Sequence, residues 1–88
     1  MSFVQASINL GKVHKLPNGM YQLPGNSKVY LRDGRKHREN GPAEVRKDGY
    51  EAYFWMGLRH RLNGPAVIYP NGTKEYWTHG KFIRREKT

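Results

Sequence analysis

Four basic residues recur every 23 positions along the chain, each four residues after a glycine. They are Lys15, Arg38, Arg61 and Arg84. Cations at regular intervals suit a phosphodiester backbone, because each Lys or Arg that contacts a phosphate releases condensed counterions. Arginine can also donate two parallel hydrogen bonds to one phosphate. The spacing therefore predicts a ladder of phosphate-binding side chains, with a generic solvated face as the alternative.

Further basic and aromatic residues lie close to this ladder. The additional candidate contacts to nucleic acid or to a protein partner are Arg35, Lys36, Arg59, Lys81 and Arg85. Trp55 and Trp77 lie near these basic segments, and indole rings can stack on unpaired bases. The alternative for both tryptophans is packing within a small β core.

The 23-residue spacing extends well beyond the cations. The segment 34–43 returns as 57–66, and the glycines that begin successive units are 23 residues apart. Repetition on this scale is typical of a chain that stacks one supersecondary unit on the next. We therefore expect one domain, 1–88. Its parts are an N-terminal cap strand at 1–10, repeats at 11–33, 34–56 and 57–79, and a C-terminal half-repeat at 80–88.

Each unit has the sequence signals of a β-hairpin. In the third, a β-prone run at 66–69 and a second run at 73–78 flank Asn71-Gly72, a pair that tolerates positive φ at both turn positions. Asp48-Gly49 is the counterpart in the second unit, and Pro24-Gly25-Asn26 in the first. A second turn is predicted at Asp33-Gly34, Met56-Gly57 and His79-Gly80. No stretch has a sustained helical period, so we predict an all-β, antiparallel meander of about three stacked hairpins.

Two aromatic columns follow from this register. Tyr30, Tyr53 and Tyr76 occupy one repeat position, and Leu31, Phe54 and Trp77 occupy the next. Because successive residues of a strand point to opposite faces, one column is expected in the core and the other partly exposed. The sequence does not decide which.

Composition narrows the class of protein. The 88 residues include 16 Lys and Arg against 7 Asp and Glu, a formal net charge of +9, and no cysteine. This charge favours a polyanionic partner, and the lack of cysteine excludes disulfides and thiolate zinc sites. No apolar run is long enough to span a membrane, and no signal peptide is visible, so a cytoplasmic location is expected. With only 36% hydrophobic residues, a homodimer or a bound ligand is a reasonable source of extra stability.

Three histidines, His14, His37 and His60, also recur at the repeat spacing. If equivalent residues lie two strand spacings apart, about 10 Å, they cannot share one metal ion or flank one phosphate. A structural role is therefore favoured, and neither a metal, a cofactor nor a catalytic residue is predicted. A small ribonuclease that uses histidine acid–base chemistry is the enzymatic alternative.

The units resemble a known repeat family. A Tyr-x-x-x-Gly spacing, the hairpin signals and the 23-residue period are similar to the MORN (membrane occupation and recognition nexus) repeat. The variant His-Arg-x-Asn-Gly-Pro-Ala, found here at 37–43 and 60–66, looks like that of small phage and bacterial proteins. The resemblance covers 34–80 well and 11–33 loosely. It implies stacked β-hairpins in an elongated sheet, and scaffolding or binding rather than catalysis.

In size, charge and general type the chain is also similar to phage-encoded inhibitors of host toxin–antitoxin ribonucleases. The first hypothesis is a non-enzymatic nucleic-acid-binding protein, with RNA favoured over DNA, that serves phage counter-defence in the host cytoplasm. The second is an inhibitor that contacts a host ribonuclease toxin or another acidic protein, with RNA as a bridge in one version. Binding to a membrane surface is a lesser alternative.

Overall fold

The computed structural model describes residues 17–87, where the chain forms ten β-strands and no helix. The strands are β1 (Gly19–Leu23), β2 (Ser27–Arg32), β3 (Arg35–Lys36), β4 (Glu44–Val45), β5 (Glu51–Ala52), β6 (Phe54–Trp55), β7 (Leu58–Arg59), β8 (Val67–Ile68), β9 (Lys74–Thr78) and β10 (Lys81–Glu86). The predicted N-terminal cap, the start of the first unit and Lys15 lie outside the described residues.

Eight of these strands form one sheet. Its order is β1-β2-β4-β5-β8-β9-β10, and β3 pairs with β2, while β6 and β7 form a separate two-stranded ladder. Every described pairing is antiparallel. The prediction of an all-β, antiparallel protein is therefore confirmed.

The hairpin turns fall where the sequence places them. In the β1–β2 turn Gly25 and Asn26 both have positive φ (79° and 61°), but the β4–β5 and β8–β9 turns differ from the expected conformation. In the β4–β5 hairpin, Arg46 N–H donates to the Tyr50 carbonyl (2.9 Å) and Gly49 N–H donates to the Arg46 carbonyl (3.0 Å). Gly49 has φ 103°, whereas Asp48 is not in the positive-φ region. This is a three-residue loop in which only the final glycine is left-handed. The Asp48 carboxylate instead accepts a hydrogen bond from Tyr50 N–H (3.1 Å), as is typical of an Asx-turn.

The β8–β9 hairpin has the same construction 23 residues later. Tyr69 N–H donates to the Thr73 carbonyl (2.9 Å), and Gly72 N–H donates to the Tyr69 carbonyl (2.9 Å). Gly72 has φ 91°, and the Asn71 side chain accepts from Thr73 N–H (2.9 Å). The expectation that both Asn71 and Gly72 adopt positive φ is wrong, because the Asn side chain closes the loop instead.

The second set of turns uses positive φ at both positions. The φ values are 53° and 77° at Asp33-Gly34, 47° and 88° at Met56-Gly57, and 48° and 81° at His79-Gly80. Paired left-handed residues are what a tight type I′ hairpin requires. The turns join β2 to β3, β6 to β7 and β9 to β10. Each basic segment therefore folds straight back on the strand that precedes it.

Successive turns are then joined laterally. Gly57 N–H donates to the Lys36 carbonyl (2.7 Å), and 23 residues later Gly80 N–H donates to the Arg59 carbonyl (2.8 Å). The next backbone groups also pair, since Arg61 N–H donates to the Trp77 carbonyl (3.1 Å). These bonds fix the basic segments at equivalent positions beside one another.

The core is small. It includes one row of the sheet, and Ala43, Tyr50 and Ala66 are buried beside that row. Val29, Glu44, Ala52, Val67 and Glu75 pair in that order across adjacent strands, and all five are buried. The expectation that one aromatic column is core and the other partly exposed is wrong, because members of both columns are half-buried. Cationic side chains cover both columns, as described below. Within residues 17–87 no helix long and apolar enough to cross a membrane is present.

Candidate nucleic-acid interface

Three arginines of the predicted ladder are stacked on tyrosine rings. In each case the guanidinium lies over the tyrosine eight residues earlier in the chain, at a distance typical of a cation–π contact. The stacks, measured from Cζ to the ring centroid, are Arg38 over Tyr30 at 3.9 Å, Arg61 over Tyr53 at 4.0 Å and Arg84 over Tyr76 at 4.0 Å. Each of these three arginines therefore packs on a half-buried tyrosine ring.

A glycine contacts the other side of the guanidinium in two of the three stacks. A Cβ atom added to Gly64 would lie 3.0 Å from Cζ of Arg61 and within 3.3 Å of its Nη1 and Nε. Nearly equal distances to three atoms of a planar group place Gly64 over its face. Since the Tyr53 ring covers one face, Gly64 covers the other. Arg61 also donates to the Pro65 carbonyl (3.2 Å), so its guanidinium closes the loop that carries it.

Arg38 repeats this arrangement. Its Nη1 donates to the Pro42 carbonyl (3.1 Å), and a Cβ on Gly41 would lie 3.0 Å from its Cζ. The Asn-Gly-Pro segments expected to be loop-forming devices are thus folded around an arginine. Glycine is favoured at both positions because of this close approach, and not because of a left-handed backbone.

Arg84 has a different partner, because its segment lacks an Asn-Gly-Pro loop. It forms an ion pair with Glu86, whose carboxylate also accepts a hydrogen bond from the Tyr76 hydroxyl (3.0 Å). Hydrogen bonds from Arg84 and Tyr76 lower the pKa of Glu86. The Arg84 guanidinium therefore still stacks on Tyr76, but the Glu86 carboxylate partly neutralises its charge.

The three stacks share one face of the sheet. Val29 on β2 pairs with Glu44 on β4. The neighbouring residues also pair, since Tyr30 N–H donates to the Ala43 carbonyl (2.7 Å). The same row continues through Tyr53, whose N–H donates to the Ala66 carbonyl (2.6 Å), towards Tyr76. Directly paired residues point to the same side of a sheet. The tyrosines are two strand spacings apart, about 10 Å, and their arginines follow the same interval.

Two further predicted cations lie on this face. Arg35 pairs with Arg32, which is two residues after Tyr30, and Lys81 pairs with Thr78, which is two residues after Tyr76. Arg35 and Lys81 are exposed, and neither has an ion pair within residues 17–87. We call the face formed by Arg35, Arg38, Arg61, Lys81 and Arg84 the cation face.

Three other predicted site residues point to the opposite face, where buried carboxylates hold them. Lys36 pairs with Glu44 (3.0 Å), and Glu75 pairs with Arg85 (2.7 Å) and Arg59 (4.0 Å). Lys36 also lies over the Phe54 ring, 5.1 Å from its centroid. The structure therefore does not bring Lys36, Arg59 and Arg85 together with the cation face.

The environment of Glu75 explains why its carboxylate can remain charged at 3% exposure. Burial alone would raise the pKa of Glu75, but hydrogen bonds from Trp77 Nε1 (3.0 Å) and Arg85 and the charge of Arg59 together lower it below its ordinary value of 4.5. Trp77 is fully engaged there, since Arg59 lies over its ring at 5.0 Å and Phe82 meets it edge-on at 5.4 Å.

Trp55 is placed differently from Trp77. It lies two residues after Tyr53, on the cation face, and is 42% exposed. It borders a groove of about 350 Å³ between the loops 38–41 and 60–63, with Tyr53 and Arg61 also in its lining. His37, which is buried, packs beneath it with ring centroids 4.4 Å apart.

The two described histidines of the predicted column cap turns. His37 Nδ1 accepts from Met56 N–H and His60 Nδ1 accepts from His79 N–H, each at 2.9 Å. Burial and the neighbouring His79 lower the pKa of His60, which favours the neutral ring that can accept this bond. Within the described range, no group of three His, Asp or Glu side chains is arranged to hold a metal ion.

The arginine–tyrosine–glycine contact was not predicted, although the sequence carries a signal for it. A tyrosine eight residues before the arginine and a glycine three residues after it occur together at both Arg38 and Arg61. The tyrosine and arginine columns were identified separately, and nothing in a one-dimensional pattern showed that they meet. No known protein family, curated protein or solved structure matches the chain.

The contact between Gly64 and the Arg61 guanidinium can be tested by substitution. Gly64→Ala should lower the free energy of unfolding by about 1–2 kcal/mol, because the new Cβ presses on a guanidinium that Tyr53 and Pro65 hold in place. In an Arg61→Ala background the same change should cost at least about 0.5 kcal/mol less. Urea unfolding of the four proteins measures this coupling. Equal costs in both backgrounds would show that Arg61 does not pack on Gly64.

The stabilising effect of the Glu75 ion pairs should depend on pH. Because the pKa of Glu75 is lower in the folded than in the unfolded state, its ion pairs stabilise the fold above pH 4.5. This contribution is lost as the pH falls through the folded-state pKa. Glu75→Gln should therefore lower stability by about 1 kcal/mol at pH 7 and by less at pH 3.

The matched control for Glu75 is Glu51→Gln, because Glu51 has no ion pair within the described part of the chain. Denaturant unfolding at pH 7 and pH 3 is the measurement, and the effect of Glu51→Gln should be similar at both. A Glu75→Gln effect that is equally independent of pH would contradict the assignment.

Proposed function

We propose that the protein is a non-enzymatic nucleic-acid-binding protein that holds the phosphate backbone of RNA on the cation face. The observation that carries this proposal is the row of three tyrosine-stacked arginines at intervals of about 10 Å. The stacks use the flat faces of the guanidinium groups. The N–H edges of Arg38 and Arg61 each donate one hydrogen bond to a proline carbonyl, and a guanidinium has five N–H donors. Donors therefore remain for phosphate.

The distribution of charge supports the same proposal. Glu44 and Glu75 pair with cations on the opposite face. Arg35 and Lys81, in contrast, extend the cation face without a carboxylate partner among residues 17–87. On the cation face Glu86 pairs with Arg84, and Glu39 pairs with Arg32. Arg38 and Arg61, like Arg35 and Lys81, have no carboxylate partner among residues 17–87, and unpaired cations in a row attract and orient a polyanion.

The repeat organisation belongs to the proposal. We infer that the units 11–33, 34–56 and 57–79 are MORN-like repeats that supply Lys15, Arg38 and Arg61 to the ladder, and that the half-repeat 80–88 supplies Arg84. Recurrence of the turn, stack and lateral hydrogen bonds at 23-residue intervals supports this view. Origin in a phage and action in the host cytoplasm stay predictions from the sequence.

A protein partner is the second candidate. Leu58 and Leu62 are 49% and 74% exposed near Trp55, and apolar side chains of this size are favourable at a protein interface. The partner class expected from the sequence is a host ribonuclease toxin or another acidic protein. Capture of such a protein from a nuclease-treated lysate, without measurable affinity for RNA, would favour this candidate.

The test of RNA binding uses charge reversal at exposed positions, because Arg38 and Arg61 also support their loops. Binding of a labelled 20-nucleotide single-stranded RNA is measured by fluorescence anisotropy between 50 and 200 mM salt. Five contacts on the cation face predict a log–log salt slope near −3.5, or about 100-fold weaker binding across this range. Arg35→Glu with Lys81→Glu should weaken binding at least about 10-fold and make the slope about 1.4 shallower.

The matched control is Lys47→Glu with Lys87→Glu, which changes net charge by the same amount. Both lysines are exposed, Lys47 in the β4–β5 turn and Lys87 beyond β10, and neither has an ion pair within the described residues. This pair should leave affinity within about threefold of the original protein. Equal losses for the two double variants, or no binding at 50 mM salt, would contradict the proposal.

A further inference from the structure

The groove beside Trp55 has a feature that phosphate binding alone does not use. Its floor is aromatic, with Tyr53 and Trp55, and its walls are the loops 38–41 and 60–63. Its volume of about 350 Å³ lies at the lower end of the roughly 300–1,000 Å³ range of pockets for small organic ligands. The groove is therefore suited to one planar group rather than to a longer segment.

The orientation of Trp55 leaves an aromatic surface free. His37 is 6% exposed and packs beneath the indole, while Trp55 itself is 42% exposed. The indole is tilted by 57° to the His37 ring, and part of its surface lines the groove. His60 also lines the groove, with its ring centroid 6.4 Å from that of Trp55 and its plane tilted by 61°.

The walls of the groove supply cations, hydrogen-bonding groups and one carboxylate, Glu39, which pairs with Arg32 (3.4 Å). Arg38 and Arg61 lie on its two sides, one on each loop, and Asn40 and Asn63 occupy equivalent places on the same loops. Both asparagines are exposed, and an amide can donate to and accept from a base edge. An aromatic platform between two cations is the arrangement by which proteins hold single strands.

We propose that Trp55 stacks on one unpaired nucleobase of the bound strand, in the groove between loops 38–41 and 60–63, with the adjacent phosphates on Arg38 and Arg61. The site therefore selects single-stranded over double-stranded RNA. This inference rests on the proposed function and deepens it. It assigns base stacking to Trp55 and not to Trp77, whose ring is occupied by Arg59 and Phe82 on the opposite face.

The presence of only two tryptophans makes each one a separate reporter. Trp77→Phe leaves Trp55 as the single indole, and Trp55→Phe leaves Trp77. Each variant is titrated at 50 mM salt with a single-stranded RNA, with a duplex of the same length and with inorganic polyphosphate. The Trp77→Phe protein should be quenched by the single strand alone, and the Trp55→Phe protein by none of the three.

Affinity gives a second readout. Trp55→Leu should weaken single-strand binding about 5- to 100-fold while the salt slope stays unchanged, since no phosphate contact is removed. Trp55→Phe, which keeps an aromatic face, should recover much of the loss. Trp77→Leu is the matched control and should leave the affinity close to that of the original protein, with urea unfolding confirming that each variant is folded.

The outcomes separate this inference from the proposed function. Tight, salt-dependent binding of single strands that is unaffected by Trp55→Leu would overturn the stacking site and leave phosphate binding in place. Equal quenching of Trp55 by duplex, polyphosphate and single strand would also overturn it, because a charge effect would then explain the signal. No binding of any of the three at 50 mM salt would overturn both.

Discussion

The stacking of an arginine between a tyrosine ring and a glycine is the contact on which the cation face depends. It places a guanidinium, which is normally mobile, in one orientation against the sheet. For Arg61 the constraints are the Tyr53 ring at 4.0 Å, the close approach of Gly64 and the bond to the Pro65 carbonyl. A cation–π contact of this kind contributes about 0.5–2 kcal/mol, more when it is shielded from water. In a domain with so few fully buried side chains, that is a substantial share of the stability.

The same contact links folding to the proposed function. Because each arginine stacks on a tyrosine ring to close its loop, its guanidinium lies at a fixed distance from the sheet and at a fixed interval along it. Less side-chain freedom is then lost when a ligand binds, which is the general advantage of a preorganised site. The lateral bonds from Gly57 to Lys36 and from Gly80 to Arg59 set the interval, so the backbone and the side chains impose the same period.

Charge is sorted between the two faces by two buried carboxylates. Glu44 and Glu75 collect cations on one side, and Arg35 and Lys81 are left unpaired on the other within residues 17–87. Sequence could predict the hairpins, the turn positions and the 23-residue period, because Gly, Asn and Asp act locally. It could not predict this sorting. Lys36 and Arg38 are two residues apart, yet Lys36 faces Glu44 and Arg38 faces Tyr30, which depends on pairing across strands and on the course of the loop. The assignment of base stacking to Trp55 rather than Trp77 also depends on pairing across strands, because Trp77 is held by Glu75 on the opposite face.

If the cation face is preorganised, the arginine side chains of the ladder are fixed on tyrosine rings in solution. Side-chain NMR of the uniformly ¹⁵N,¹³C-labelled protein tests it most directly. We expect the Hδ and Hε resonances of Arg38 and Arg61 to be shifted upfield by ring currents relative to those of Arg35, and Tyr53→Leu to remove the shift at Arg61 alone. Resonances of all three arginines at random-coil positions, unchanged by Tyr53→Leu, would contradict it.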